Sequence, residues 1–210
     1  MILNIMNFVD RQLLSSFANF IKPELGLSDM QYGLLTGIVF IFFYAVMGVF
    51  IGALADMFHH PRLVAMGLML WSELTVASGA TRGFISLALP RMFIGVGESV
   101  LTPTSLSMLA DRFPRALMGF AVGFYYMGVP IGVGASLLVA GFLGPAIGWR
   151  NCFYVLGATG IFLALVMAFV KETPREHHVS SPRQGAGSER PNLKEIFITL
   201  RKALVVSPAL

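Results

Sequence analysis

An arginine and a glutamate, Arg91 and Glu98, interrupt a long apolar stretch that runs from Phe84 to Ala110. Their separation is almost two turns of an α-helix, so both side chains project from nearly the same face, about 10 Å apart along the axis. A charge at the centre of a bilayer costs about 2.5–3.5 kcal/mol or more, and this cost is normally met only where the charge lines a pathway or a site. In a membrane, a buried Glu98 could therefore load and release a proton, whereas Arg91 would stay charged and need an anionic partner.

Asp10 is a further acidic residue within an apolar stretch, and the partners of these charges are open at the level of the sequence. Arg91 could pair with Glu98, with Asp10 or with an anionic group of a substrate. The alternative for Arg91 and Glu98 is a purely structural ion pair. The alternative for Asp10 is a helix-boundary pair with Arg11 at the membrane face.

Three hydroxyl groups are candidates for substrate contact. Thr102 and Ser105 continue the face of Glu98 about one and two turns further along the helix, so they could bind a polar headgroup. The alternative is that each hydroxyl bonds a preceding carbonyl of its own helix. Tyr125 could contact a substrate, or it could be an aromatic residue of the packed core.

The composition places these charges in a membrane protein. Hydrophobic residues make up 56% of the chain and charged residues 12%, and the mean hydropathy is +0.74. Six apolar stretches are long enough for the roughly 20 residues that cross a bilayer as a helix, and they lack the period-two alternation of barrel strands. The predicted fold class is therefore an all-α membrane protein.

The sequence carries no motif for a cofactor, a metal or an enzymatic reaction. Gly95 and Gly97 lack the third glycine and the strand-turn-helix context of a dinucleotide site, and a phosphate loop, HExxH and GxSxG are absent. The single cysteine, Cys152, cannot form an internal disulfide, and the adjacent pairs His59-His60 and His177-His178 lack the spacing of metal ligands. We predict no catalytic residue, no metal site and no cofactor.

The predicted elements follow from the apolar stretches and the turn residues between them. Six helices are predicted over about Ile2–Ile21, from a cap at Ser28 or Asp29 to Ala55, Leu63–Gly79, Phe84–Ala110, Ala116–Leu143 and Asn151–Val170. The predicted organisation is a six-helix bundle at 1–170, a cytoplasmic linker at 171–191, and an amphipathic surface helix with the start of a possible seventh span at 192–210.

The distribution of lysine and arginine predicts the orientation. Arg62, Arg112, Arg115 and the basic residues after position 170 lie on one side, whereas Lys22, Arg82 and Arg150 lie on the other. The more basic side is expected to be cytoplasmic, which places both termini inside a cell membrane, either an inner or a plasma membrane. The net charge of +4 then reflects topology and attraction to anionic lipid, and no nucleic-acid partner is predicted.

Three segments together suggest a family. They are Gly52-Ala53-Leu54-Ala55-Asp56 before a basic turn, Arg91-xxx-Gly95-x-Gly97-Glu98, and Gly128-Val129-Pro130-Ile131-Gly132. They resemble the loop signature, the fourth-helix motif and the fifth-helix glycine-proline motif of the major facilitator superfamily. Within it, residues 7–11, residues 24–29 and Gly148-Trp149-Arg150 most resemble spinster-type lysolipid transporters, which include sphingosine-1-phosphate transporters.

The resemblance implies the N-terminal half of a twelve-helix fold, with six transmembrane helices arranged as two three-helix repeats. It implies a proton-coupled secondary active transporter that moves an amphiphilic lysolipid-like or anionic substrate by alternating access. The partners would be the bilayer, protons, the substrate and a C-terminal six-helix half on the same or a separate chain. Two alternatives stay open: a sugar-acid or organic-anion symporter of the same superfamily, and a non-transporting membrane scaffold or regulatory subunit.

The resemblance and the charges together assign candidate roles. They are proton coupling for Asp10 and Glu98; substrate binding or a charge switch for Arg91, Thr102, Ser105 and Tyr125; a cytoplasmic gate for Gly52, Asp56, Arg62, Asp111 and Arg112; and hinge or packing for Gly128, Pro130 and Gly132. The gate is expected because charged turns at helix ends can be made in one state and broken in another. The alternative for the gate is positive-inside topology alone.

One departure from the family pattern concerns the gate. The superfamily loop usually continues with arginine after the aspartate and ends in paired basic residues. Here Met57 follows, and His59, His60 and Pro61 precede the single remaining Arg62. The charge contacts of this loop are therefore expected to be weaker, or to depend on histidine.

Overall fold

The computed structural model describes residues 1–55 and 60–170, and the side chains of residues 52–55 are outside the description. The described part is all-α, which confirms the predicted fold class. Its α-helices are α1 Ile2–Ser16, α2 Ala18–Leu25, α3 Asp29–Thr36, α4 Ile38–Ala55, α5 His60–Gly79, α6 Phe84–Glu98, α7 Leu101–Arg112, α8 Arg115–Tyr126, α9 Gly128–Leu138, α10 Gly144–Ile147 and α11 Trp149–Ala168, with a π-helical turn at Val139–Leu143 between α9 and α10. The predicted linker and surface helix lie outside the described residues.

Within the described ranges the helices follow one another as six rods: α1–α2, α3–α4, α5, α6–α7, α8–α10 and α11. Four rods contain a helix that is long and apolar enough to cross a membrane, at Asp29–Ile51, Phe84–Arg112, Arg115–Ile147 and Trp149–Ala168. The other two are more polar, since α1 carries Asp10 and Arg11, and α5 carries Arg62 and Glu73. The most polar rods are thus candidates for helices that face other protein groups rather than lipid.

Two prolines explain where two of the predicted helices divide. A proline ring clashes with the carbonyl four residues earlier and removes a hydrogen bond. For Pro103 that carbonyl belongs to Ser99, where α6 gives way to α7, and for Pro130 it belongs to Tyr126, where α8 ends. The break between α6 and α7 therefore lies one turn before Pro103, directly after Glu98.

The first rod is longer than predicted. The sequence suggested a break at Lys22, but α2 continues through Pro23 and ends at Gly26, whose φ of 62° is left-handed and therefore favours glycine. The predicted cap of the next helix is present: the Ser28 hydroxyl accepts from the Gln31 backbone N–H, and the Gln31 side chain accepts from the Ser28 N–H.

Close helix contacts position α1 and α5. The helices α1 and α9 pack together, and α5 packs on α6 and α11. A Cβ on Gly132 of α9 would lie 2.5 Å from the Ile5 carbonyl oxygen, and one on Gly157 of α11 would lie 2.7 Å from the Ser72 carbonyl oxygen. Small residues at these two crossings therefore let the backbones approach to a distance that a side chain would prevent.

Candidate functional site

The two charges of α6 lie deep inside the bundle. Glu98 is 1% exposed and Arg91 4% exposed. Glu98 is the last residue of α6, so the break caused by Pro103 follows it directly. Phe40, whose ring contacts Arg91, belongs with Trp71 to one buried apolar cluster.

The cation bound to Glu98 comes from α1. The Glu98 Oε2 atom accepts hydrogen bonds from Arg11 Nε at 3.1 Å and from Arg11 Nη2 at 2.9 Å. The Glu98 side chain has no exposed surface, whereas that of Arg11 keeps 25% of its surface. The Glu98 Oε1 atom has no partner at normal hydrogen-bond geometry within the described residues, and the Asn7 side chain lies beside the carboxylate. One oxygen of this carboxylate is thus paired, and the other is open to a proton.

Arg91 makes a different contact from those the sequence left open. Its Nη2 atom donates to the backbone carbonyl of Arg11 at 2.8 Å, and its guanidinium carbon lies 4.7 Å from the centre of the Phe40 ring. Glu98 and Asp10 act on Arg91 through their charges, but the hydrogen bond goes to the α1 backbone. Arg91 therefore fastens α6 to α1, and Arg11 is the arginine bound to the carboxylate.

The guanidinium of Arg11 is surrounded by aromatic rings. Its central carbon lies 5.0 Å from the ring centre of Phe8, 4.8 Å from that of Phe40 and 4.5 Å from that of Tyr44. An arginine over an aromatic face is attracted by the negative charge of that face, and the attraction increases when water is excluded. These rings hold Arg11 in the interior without neutralising it.

Asp10 faces another helix. It is 3% exposed, and its carboxylate lies beside the side chains of Trp71 and Thr75 of α5 as well as near Glu98 and Arg91. Neither of its oxygens has a partner at normal hydrogen-bond geometry within the part of the chain that is described. Arg11 is bound to Glu98, so the structure does not show the pair of Asp10 with Arg11 that the helix-boundary alternative names.

The three candidate hydroxyl residues lie together. Tyr125 of α8 is 5% exposed, and its hydroxyl lies beside Thr102 and Ser105 of α7. The Asn4 side chain of α1 donates to the Tyr125 backbone carbonyl at 2.8 Å. This hydroxyl cluster therefore joins three helices, α1, α7 and α8.

The candidate hinge residues lie where α9 crosses α1. A Cβ on Gly128 would be 3.1 Å from the Asn4 Cβ, and a Cβ on Gly132 would be 2.7 Å from the Phe8 Cβ. Pro130, between them, is exposed. Both glycines thus fix the position of α1, the helix that carries Asp10 and Arg11.

The candidate gate is described only in part. Arg62 lies in the first turn of α5, and Asp111 and Arg112 end α7; all three are exposed. Gly52 is part of α4, but its contacts are outside the description. Asp56 lies outside the described residues. The gate stays a prediction.

A second polar cluster ties three chain segments at the other end of the rods. The Glu24 carboxylate accepts from Trp149 Nε1 at 2.5 Å and from Arg150 Nε at 3.0 Å. Arg150 Nη1 also donates to the carbonyls of Gly79 and Thr81, at 2.7 Å each, and its guanidinium stacks on Trp149 at 4.4 Å. Arg150 thus connects the ends of α2, α5 and α11.

This end cluster leads to a prediction about acid stability. The Trp149 N–H, with help from Arg150, holds the pKa of the Glu24 carboxyl below its ordinary value of 4.5. A lowered pKa in the folded state gives stability that is present above the ordinary value and is lost as pH falls through the folded value. Glu24→Gln should therefore reduce the fall in unfolding free energy between about pH 5 and pH 3, by at most about 1 kcal/mol because the pair is solvent-screened. Thermal unfolding in detergent at each pH measures it, and an unchanged acid slope would contradict it.

Sequence reasoning missed several residues of the site: Asn7, Phe8, Phe40, Tyr44, Trp71 and Thr75. Arg11 was noticed only as a possible boundary partner of Asp10. Its position next to Asp10 on an otherwise apolar helix was the available signal. Adjacent residues point about 100° apart on a helix, so the two charges of this dipeptide face different neighbours.

Comparison with known proteins relates this chain to one superfamily and to transporters. The family model described as Major Facilitator Superfamily matches residues 1–210. The chain is 34% identical over 165 residues to an MFS-type efflux pump of Mycolicibacterium smegmatis, covering 79% of this chain and 38% of the relative. It is 30% identical over 179 residues to the hexuronate transporter of Bacillus subtilis, covering 85% and 42%. The chain spans about two fifths of the length of these curated relatives.

Among solved structures, the chain is similar to a bacterial homologue of the human lysosomal transporter spinster, in an inward-facing and unoccupied conformation. The TM-score is 0.78 and the identity is 30%, covering 97% of this chain and 47% of that one. The predicted resemblance to spinster-type transporters is confirmed. The coverage agrees with half of a transporter fold.

Proposed function

Because this chain belongs to the major facilitator superfamily, we propose that it is the N-terminal half of a proton-coupled secondary active transporter. The chain is an integral membrane protein, and the relatives compared with it are transporters. Its C-terminal partner would be a second six-helix half, and the two halves would move against each other in alternating access. Asp56, Arg62, Asp111 and Arg112 would form the cytoplasmic gate, with both termini in the cytoplasm. We propose no enzymatic activity.

One observation carries proton coupling: Glu98 is fully enclosed, with one oxygen bound to Arg11 and the other open. A proton that binds Glu98 removes the negative charge that holds Arg11. Arg11 cannot lose its own proton at physiological pH, so it then needs another anion. We therefore propose that Arg11 is the charge switch. Arg91, to which the sequence assigned this role, is bound to the α1 backbone. Asp10 would be the second coupling carboxylate.

The substrate proposed for this site is an amphiphile with an anionic headgroup. Arg11 would bind the anionic group, and Tyr125, Thr102 and Ser105 would hydrogen-bond neutral polar groups of the same headgroup. The aromatic rings around Arg11 would contact an apolar tail. The likeness to a spinster homologue supports a lysolipid-like substrate.

A sugar acid is the second candidate substrate, and the hydroxyl cluster favours it. Three clustered hydroxyl side chains, together with the Arg11 guanidinium on the adjoining helix α1, suit a compact molecule that carries both a carboxylate and several hydroxyl groups. The similarity to a hexuronate transporter supports the same choice. A binding screen that compares a lysolipid with a hexuronate separates the two. A non-transporting scaffold would bind neither.

Arg11→Ala should weaken binding of an anionic substrate by about 30-fold or more, since truncating one member of a buried charge pair costs about 2–5 kcal/mol. Radioligand binding to the transporter in detergent, with a lysolipid and a hexuronate as probes, measures the loss. Arg82→Ala is the matched control, because Arg82 is an exposed arginine in the turn between α5 and α6, and it should bind normally. Unchanged affinity in Arg11→Ala would contradict the assignment of Arg11.

A further inference from the structure

The Asp10 carboxylate is a hydrogen-bond acceptor and the Trp71 indole N–H is a donor, and neither is used in the hydrogen bonds of the described bundle. Both oxygens of Asp10 and the Nε1 atom of Trp71 are buried without a partner at normal hydrogen-bond geometry within the described ranges. The two side chains lie next to each other. A buried donor or acceptor without a partner is unfavourable, because the group has lost its hydrogen bonds to water. A small movement that joins the two would therefore be favourable.

Thr75 adds a second polar group at the same place. It lies one turn beyond Trp71 on α5, is 2% exposed and is also adjacent to Asp10. In the structure its hydroxyl donates to the Trp71 carbonyl at 2.9 Å. In that orientation the oxygen can accept a hydrogen bond from a protonated Asp10, and after rotation the hydroxyl can donate to an ionised Asp10.

Trp71 cannot adapt in this way. An indole N–H only donates, so it stabilises the ionised carboxylate and cannot accept a hydrogen bond from the protonated carboxyl group. Its position is fixed, since Trp71 is 0% exposed and a Cβ on Gly97 of α6 would lie 3.1 Å from the Trp71 Cβ. The helix that carries it is held on its other side by the close contact of Ser72 with Gly157.

The charged groups that face Asp10 come from α6: Glu98, which disfavours a second negative charge, and Arg91, which favours it. The adjacent Arg11 is bound to Glu98. The helix α9, which packs on α1, carries no titratable side chain, and Glu73 of α5 is exposed. No described arginine or lysine makes an ion pair of normal length with Asp10, so Trp71 and Thr75 are the hydrogen-bonding groups beside its carboxylate, and their effect adds to those of burial, Glu98 and Arg91.

From this geometry we infer that Trp71 and Thr75 are positioning residues that hold the Asp10 carboxylate and set the pH at which Asp10 takes up its proton. The inference rests on the proposed function, in which Asp10 is a coupling carboxylate. It gives α5, a helix to which the sequence assigned no coupling residue, a part in proton coupling.

The test follows the Asp10 carboxyl directly. Infrared difference spectra of the transporter in lipid vesicles are recorded during a pH titration, and the carboxyl band of Asp10 is the one that Asp10→Asn removes. Trp71→Phe removes the N–H, so the midpoint of this band should move to higher pH by about one unit. Thr75→Val removes a hydroxyl that can serve either form of Asp10, so it should move the midpoint by less than Trp71→Phe does, and Thr75→Ser should restore it. Ser78→Ala is the matched control, because Ser78 is a buried hydroxyl one turn further along α5 that donates to the Leu74 carbonyl.

The outcomes separate this inference from the proposed function. A midpoint that is unchanged in Trp71→Phe and Thr75→Val, or that moves equally in Ser78→Ala, overturns the inference, whether or not the vesicles transport. Proton-driven uptake in the same vesicles tests the proposed function independently. The inference predicts that its pH profile in Trp71→Phe moves with the infrared midpoint. A profile that stays in place while the midpoint moves would contradict it.

Discussion

Glu98→Gln should abolish accumulation of substrate driven by a proton gradient, while exchange of substrate across the same membrane continues. Glutamine has the shape of glutamate and keeps an oxygen that can accept the hydrogen bonds of Arg11, but it cannot ionise. The charge at the end of α6 then no longer changes, so proton movement and substrate movement lose their connection. Uptake and counterflow in reconstituted vesicles, with and without a pH gradient, measure the two activities separately.

The control for this variant is Glu24→Gln, which makes the same chemical change at a half-exposed carboxylate of the other polar cluster. It should leave proton-driven accumulation intact. Unchanged accumulation in Glu98→Gln would remove Glu98 from the coupling mechanism. Loss of both accumulation and exchange would assign Glu98 to substrate binding or folding instead.

Gly132→Ala should destabilise the bundle by about 1–3 kcal/mol, the usual cost of overpacking a close contact. The added Cβ would lie 2.5 Å from the Ile5 carbonyl oxygen and 2.7 Å from the Phe8 Cβ. Both belong to α1, so the substitution must push away the helix that carries Asp10 and Arg11. The apparent unfolding temperature in detergent should fall, and substrate binding should fall with it.

Gly134→Ala provides the comparison on the same helix. A Cβ at Gly134 has no heavy atom within 4 Å among the residues that the structure describes. Alanine in an open helical position is more favourable than glycine by about 0.5–1 kcal/mol, so this variant should be as stable as the unaltered protein or slightly more stable. Equal behaviour of the two variants would mean that the close crossing of α1 and α9 does not exist in solution.

The sequence was sufficient to predict which residues would be buried and charged, because a carboxylate or a guanidinium in an apolar stretch is visible without a structure. It was also sufficient for the Ser28 cap, whose partner Gln31 lies three residues away. Such signals are local. Periodicity places Arg91 and Glu98 on one face of one helix, and that placement needs no knowledge of the neighbouring helices.

Local sequence signals could not predict which of these charges pair with each other. Whether Glu98 meets Arg91 or Arg11 depends on how α1 is rotated and how closely it approaches α6. That rotation is set by contacts far apart in the sequence, such as Gly132 against Ile5. The same reason explains why Trp71 and Thr75 were missed. Small hydroxyl residues recur every three positions along α5, but only the position of that helix in the bundle shows that Trp71 and Thr75 meet Asp10.

The break after Glu98 has a mechanical consequence. An intact helix resists bending because every turn is closed by hydrogen bonds, and Pro103 removes one of these bonds at Ser99. The stiffness of the rod formed by α6 and α7 is therefore lowest within one or two residues of the carboxylate. Above this joint, Arg91 fastens α6 to α1, whereas below it α7 carries Thr102 and Ser105. A change of charge at Glu98 thus acts at the most flexible point of this rod. A small change in the angle between α6 and α7 at this point would move the far end of α7 by the largest distance.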